Sequence, residues 1–456
     1  MAGRVLLRLA RVSFSLCLVS YPLRYRITLI ERPLPPVYRD YTDLLLFLPD
    51  ILLLATLLFW FPSVVLRKKQ IRLKPAAFST LITLLVGLIL LSALFAEDRL
   101  LSFYYLARTF GLFGLYLFLV NEVRRLDDIA LALAIQIFIQ SVIGLGQAWQ
   151  QSSLGLTAIG EHILDPAVSG VSIIGAGDER TLRAYGLADH PNILGGSLAF
   201  GLILYLGWIV GRIYHPGFSR SSLFVVLPAT AVFASGLATL FLTYSRSAWL
   251  AFAVSLLFIF MMLYVRNQKQ ALVTTAAILA TGLILLLPIG IQSLNYVSSR
   301  VNIQNSFQAV YYEKYSLDER AALNRAANQI FADHAILGVG PGGYPSAIQR
   351  EYPDFEYDYQ PPHIVLLEAA GETGIFGGLV FAILTVLPWV SMWINRGHLK
   401  FKPDLIFASG SLMAVTLVGI FDYYPWLLAP GRYWLWTIWG LWGAFYVLSF
   451  REIRDE

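Results

Sequence analysis

Long apolar stretches alternate with short polar links along most of the chain. Eleven stand out, over 44–66, 76–96, 102–120, 129–149, 191–211, 222–242, 247–265, 271–288, 364–394, 404–421 and 433–450. A helix needs about 20 mostly apolar residues to cross hydrocarbon, and it satisfies its own backbone polar groups while doing so. Each stretch therefore predicts a transmembrane helix. A twelfth, over 5–23, carries Arg8 and Arg11 among its apolar residues; it reads either as a weak span or as an amphipathic helix lying in the interface. Two long polar segments, about 150–190 and 289–363, break the rhythm. In the second, DERAALNRAANQIFADH spaces its apolar residues at the helical period and predicts a helix over 318–334, followed by the turn cluster GVGPGGYP. The fold class is all-α: a polytopic membrane helix bundle of about 12 transmembrane helices with a large, partly helical external loop. Its parts are an N-terminal weak span or interfacial segment (1–43), a transmembrane bundle (44–288) with an external loop at 150–190, the large loop (289–363), and C-terminal helices with a short cytoplasmic tail (364–456).

Composition sharpens the class. Of 456 residues, 57% are hydrophobic and 14% charged, against about 25% charged in a soluble domain. Soluble, disordered, collagen-like and nucleic-acid-binding classes are excluded. The net charge of +5 reflects its distribution over short loops, where Lys and Arg mark the cytoplasmic side. One alternating set of loops carries Arg67, Lys68, Lys69, Arg72 and Lys74; Arg124 and Arg125; Arg212 and Arg220; Arg266 and Lys269; Arg396, Lys400 and Lys402; and Arg451 and Arg454. The opposite short loops carry Arg99, Arg246 and Arg432. The first set is read as cytoplasmic, and twelve spans put both termini there and both long segments outside. Arginines within the first thirty residues argue against a cleavable leader. A single cysteine, Cys17, allows no intrachain disulfide, and the six histidines are scattered; no metal site and no cofactor is expected. GVGPGG lacks the lysine of a phosphate-binding loop.

Charges at membrane depth or at its lip are costly and mark function by default. Arg246 in TYSRSAW, Arg320 opening the external helix, His363 in PPHIVLLEAAGETG and Asp422 in FDYYPW are all expected on the outer side. Each also has a plainer reading. Arg246 suits an interfacial anchor, Arg320 and Arg325 a solvated helix face, His363 a cap after two prolines, and Asp422 a helix end or a partner for Arg432. Arg183, Asp189, His190 and Asn192 lie in RAYGLADHPNILGG, where DHPN reads first as a turn and cap. Glu368 and Glu372, four apart, either orient His363 or face a wet cavity. Asp354, Glu356 and Asp358 offer oxygen ligands to a hard cation or simply form a solvated loop. The aromatics of 421–436 read as an interfacial belt first and a sugar-stacking surface second.

In order, TYSRSAW, then Arg320 with FADHAILGVGPGGYP, then HIVLLEAAGETGIFGG resemble the O-antigen ligase family, which includes polymerase-like relatives. GLADHPNILGGSLA is similar to that family's upstream turn before a span. The motifs cover about 180–380; the rest resembles the family by span count alone. Ile364 departs from the Asn the family often has after its histidine, and Ala335 from a Pro after the loop's His334. The resemblance implies catalytic roles for His363, Arg246 and Arg320, and matches Asp422 to an acid in the penultimate outer turn. Glu368, Arg183, His190, Asn192 and Arg325 are candidate supporting or substrate-binding groups. The implied activity is a metal-independent, inverting glycosyltransfer. A glycan leaves a polyprenyl (undecaprenyl) diphosphate carrier for a lipid, glycan or protein acceptor, among membrane lipids. It would occur at the bacterial inner membrane, with the site facing the periplasm or exterior. The alternatives are a repeat-unit polymerase of the same family, or a polysaccharide or lipid transporter or flippase. Transporters often show inverted repeats and mid-membrane charges, whereas here no repeat is visible and the candidate charges sit at one lip.

Overall fold

The computed structural model describes residues 1–168, 170–176, 179–214, 223–301 and 307–450. Arg220, Arg451 and Arg454 fall outside the described residues. The chain opens with α1 (Ala2–Ser20), then β1 (Arg26–Ile30), α2 (Arg39–Thr42) and β2 (Leu44–Phe47). Four long helices follow: α3 (Leu48–Leu66), α4 (Ala76–Phe95), α5 (Arg99–Glu122) and α6 (Ala130–Gln150). A second hairpin, β3 (Ile173–Ala176) and β4 (Glu179–Leu182), precedes α7 (Pro191–Tyr214), α8 (Leu223–Leu242), α9 (Arg246–Val265) and α10 (Lys269–Gln292). The large loop holds α11 (Leu294–Val301), α12 (Phe307–Asp333) and α13 (Tyr344–Glu351). The chain returns through α14 (Val365–Ile394), α15 (Pro403–Phe421) and α16 (Ala429–Leu448).

Among the described residues, ten helices are long and apolar enough to cross a membrane: α3 to α10, α14 and α15. The architecture is the expected all-α membrane bundle. The two remaining stretches of the twelve, α1 and α16, also run its depth. Helix α1 lies antiparallel along α3, with Gly3 against Arg67 and the Cys17 thiol on the Pro49 carbonyl. Helix α16 is diluted by tryptophan and tyrosine, yet it is the most enclosed of all; Trp434, Trp439 and Trp442 are sealed inside. Its C-terminal end returns to the α14–α15 link, where Leu399 bridges Phe450.

Basic links gather at one end of the bundle. Arg67 and Lys69 both hold the buried Glu122, at 2.7 and 3.0 Å. Arg266 lies over the Phe401 ring, and Asp404 caps Leu126. The hairpins, α11 to α13 and the α15–α16 turn occupy the opposite end. There a second apolar core joins Tyr41, Tyr105, Leu323, Ala327, Ile330, Tyr344 and Tyr423.

Two features depart from the expectation. The loop helix begins at Phe307 rather than near 318, so Arg320 sits inside α12 instead of opening it. Two short antiparallel hairpins also stand among the helices of a chain read as all-α; the alternation in RITLI was a signal for β1 alone.

The glycine motifs form one interlocked unit. Gly338 adopts φ 72° and Gly374 φ 73°, a region open to glycine at little cost. Val339 and Gly340 donate backbone hydrogen bonds to the Gly371 and Glu372 carbonyls, at 2.8 and 3.1 Å, and Ile375 donates to the Ala335 carbonyl at 2.8 Å. A Cβ on Gly338 would collide with the Glu372 backbone. Tyr344 then bonds the Ala327 carbonyl at 3.1 Å, pinning α12 to the start of α14.

Candidate active site

Pro361 and Pro362 hold the chain extended before α14, and Ile364 caps that helix with φ −131° and ψ 107°. His363 is thereby set just ahead of the helix, at the end of the bundle opposite the basic links. Its ring meets Tyr423 edge-on at 5.0 Å. Its Nδ1 lies 3.7 Å from Asp422 Oδ1 and has no hydrogen-bond partner among the described residues. Asp422 ends α15 in an extended conformation. Arg320 reaches the same helix end from α12, donating to the Phe421 carbonyl at 3.4 Å. Three elements distant in sequence thus bring a histidine, a carboxylate and a guanidinium together. Burial pushes the His363 pKa down to about 4; Asp422 pulls it up and Arg320 pushes it further down. At neutral pH the imidazole is the free base.

Asp422 continues into a polar relay. Its Oδ2 accepts from Asn192 Nδ2 at 3.1 Å, and Asn192 Oδ1 accepts from Arg183 Nη2 at 2.6 Å. Arg183 Nε donates to the Thr243 carbonyl at 2.7 Å. Thr243 leads into the turn before α9, where Tyr244 takes φ 46° and Ser245 packs against Gly195 of α7. Arg246 follows as the first residue of α9, exposed and three residues past Thr243. Arg183 and Asn192 are therefore what ties the TYSR turn to Asp422.

The other sequence candidates separate. His190 accepts from the Asn192 N–H at 3.1 Å, and its carbonyl starts α7, the capping role that DHPN suggests. Asp189 turns away to Arg24 and Arg26. Arg325 is exposed on α12, and its charge acts on Tyr357 rather than on His363. Glu368 is fully buried, and neither carboxylate oxygen has a hydrogen-bond partner among the described residues; of the acids considered for orienting His363, Asp422 is the one beside Nδ1. Glu372 is structural, accepting from the Gly342 N–H at 2.8 Å and Trp426 Nε1 at 2.7 Å. Arg432 donates to Thr109 at 2.7 Å and lies over the Tyr105 ring, so it does not pair with Asp422. Asp358 accepts from the Tyr38 hydroxyl at 2.9 Å. Among the described residues no group of three His, Cys, Asp or Glu is placed to hold a metal ion.

Sequence reasoning missed the tyrosines. Tyr423 supports the imidazole ring, and its hydroxyl lies 2.6 Å from that of Tyr41. Tyr423 stands in the aromatic run read as a belt, and nothing in the sequence linked it to Tyr41, hundreds of positions away.

Residues 229–382 match the model of the family described as O-Antigen ligase. The match runs from α8 into α14 and contains Arg246, Arg320, Arg325, His363 and Glu368; Arg183, His190, Asn192 and Asp422 lie outside it. No curated protein matches the chain. The resemblance carried by the motifs holds over that segment, and the apolar helices make the chain a multi-pass membrane protein.

Proposed function

We propose that this chain, of O-antigen ligase type through its 229–382 segment, transfers a glycan from a polyprenyl diphosphate carrier to an acceptor hydroxyl on the extracytoplasmic face of the bacterial inner membrane. The observation that carries the reading is the meeting of His363, Asp422 and Arg320 at one lip of the bundle, with Arg246 three residues past Thr243, where the relay from Asp422 ends. An Nδ1–H tautomer facing Asp422 leaves Nε2 as the base. Nε2 takes the acceptor's proton as its oxygen bonds the anomeric carbon. The carbon–oxygen bond to the diphosphate breaks, and the carrier leaves with the electron pair. A single in-line displacement inverts the anomeric centre. The leaving diphosphate gathers negative charge, and the guanidiniums of Arg246 and Arg320 answer it with forked hydrogen bonds. The oxygen-to-carbon step needs no acid, because diphosphate is already a good leaving group.

The test is an in vitro transfer assay with purified protein and lipid-linked glycan. His363→Ala is expected to abolish transfer while still inserting in the membrane and binding donor; near-wild-type turnover ends the assignment. Turnover is expected to survive EDTA, and a complete loss reversed by a divalent ion overturns the metal-independent scheme. Free polymer left on the carrier in a deletion strain points to a ligase, and single repeats point to a polymerase.

A further inference from the structure

A cavity lies two tyrosines away from the histidine, built by a segment outside the family match. Between α1 and α3 the chain folds back through β1, α2 and β2. Against the start of α16 this hairpin encloses a pocket of about 500 Å³, walled by Arg24, Arg26, Tyr38, Asp40, Tyr41 and Asp189 among others.

The charges in this wall are already matched. Arg24 holds Asp189 at 2.7 Å, and Arg26 holds Asp189 at 2.8 Å and Asp40 at 2.6 Å. Arg39, at the rim, holds Glu31 at 2.7 Å and Asp43 at 3.1 Å. A phosphate site leaves its cations for the ligand to neutralise; here a phosphate would meet carboxylates at close range. What the wall offers instead is planar N–H donors beside carboxylate acceptors, with the rings of Tyr38 and Tyr41. Neighbouring hydroxyls of a sugar can each donate to a carboxylate and accept from a guanidinium, while the ring's C–H face lies on an aromatic side chain. Tyr38 is 52% exposed, free to present that face. The floor of the pocket leads to the candidate base: the Tyr41 hydroxyl touches that of Tyr423, which carries the His363 ring.

We propose that the hairpin pocket is a carbohydrate-binding subsite holding the acceptor's sugar, so that its reacting hydroxyl reaches His363 past Tyr423. The acceptor role rests on the transferase reading above; capture of a sugar does not. The matched charges disfavour the donor's diphosphate, and Tyr41 of the pocket wall is joined through Tyr423 to the residue that takes the acceptor's proton.

The probe is the set of reducing oligosaccharides released by mild acid from the producing cell's own surface glycan. Its binding to the purified full chain in detergent is read by saturation-transfer NMR. Wild type and His363→Ala are both expected to bind it. Tyr38→Ala and Asp40→Ala, both at exposed positions, are each expected to weaken binding about tenfold, whereas Tyr38→Phe keeps the ring face and retains it. Inorganic pyrophosphate does not displace the probe. In the transfer assay the two alanine variants raise the acceptor's KM and leave the donor's KM in place. Four results overturn the subsite: no binding by wild type, unchanged binding by both alanine variants, displacement by pyrophosphate, or a rise in donor KM instead. Wild-type protein that binds the probe through the hairpin but transfers nothing overturns the transferase reading and the acceptor role, and supports the sugar subsite.

Discussion

Asp422→Asn removes one negative charge beside the candidate base with almost no change in volume. In the resting protein His363 is neutral, and the carboxylate 3.7 Å from Nδ1 has little to attract. Once the imidazole takes the acceptor's proton it becomes a cation, and the carboxylate then stabilises it. Unit charges separated by 3.7 Å attract by about 4 kcal/mol at an effective dielectric near 20. Arg320 repels the same cation, and the amide of Asn still turns a carbonyl dipole to the ring. We expect about half of that energy to be lost, roughly 2 kcal/mol, or about thirtyfold in kcat. The pH profile carries a second, signed effect. Asp422 raises the pKa of His363, so its loss makes the histidine harder to protonate and moves the acid limb to lower pH. The amide can still accept from Asn192, so the relay to Arg183 persists. The assay is transfer of lipid-linked glycan by the purified variant across a pH series, with membrane yield as the folding control. A kcat equal to wild type, or an acid limb displaced to higher pH, refutes the role of Asp422.

Arg246→Lys and Arg320→Lys are each expected to lower kcat/KM about thirtyfold or more, because one ammonium cannot fork across two phosphate oxygens; wild-type turnover in either refutes the diphosphate clamp. For pH, burial holds His363 at about 4, below the about 6.5 of an unfolded histidine. The free-enzyme rate should stay level from neutrality and fall only near pH 4, and a limb near 6.5 would contradict the buried base. The same depression makes the neutral histidine's contribution to stability fully present above about pH 6.5 and lost as pH falls toward about 4, a dependence His363→Gln removes in a melting series. Gly338→Ala forces a side chain into the Glu372 backbone at φ 72°, costing about 2–5 kcal/mol through strain and overpacking; an unchanged melting temperature in detergent refutes the interlock.

Several features of the site were legible in the residues. Arg246, Arg320, His363 and Asp422 were singled out because charge at a membrane lip is costly and therefore rare. His363 and Asp422 do stand together, and Arg320 reaches the same helix end. The pairings were not legible. Asn192 meets Asp422 across 230 positions, and Arg183 joins Thr243 across 60; a hydrogen bond between remote segments leaves no periodic trace. Glu368 looked equal to Asp422 as a partner for the histidine, and only the direction in which each side chain leaves its helix separates them.

By itself the sequence marked eleven stretches apolar enough to span and which loops share an end, leaving 5–23 open, because lipid imposes a local rule: each span must be apolar over its own length and bond its own backbone. It also marked the glycines that permit the 338–342 turn to dock. Helix α16 shows the limit of that rule, since its aromatic residues dilute its hydropathy while tertiary packing seals it at the centre. Tertiary structure alone decided that Tyr41 and Tyr423 meet, that the hairpin of 26–47 walls a pocket, and that α12 carries Arg320 to the end of α15. Such contacts depend on how whole helices and hairpins pack against one another, and that packing is set by the sum of all their interfaces rather than by the residues that finally touch.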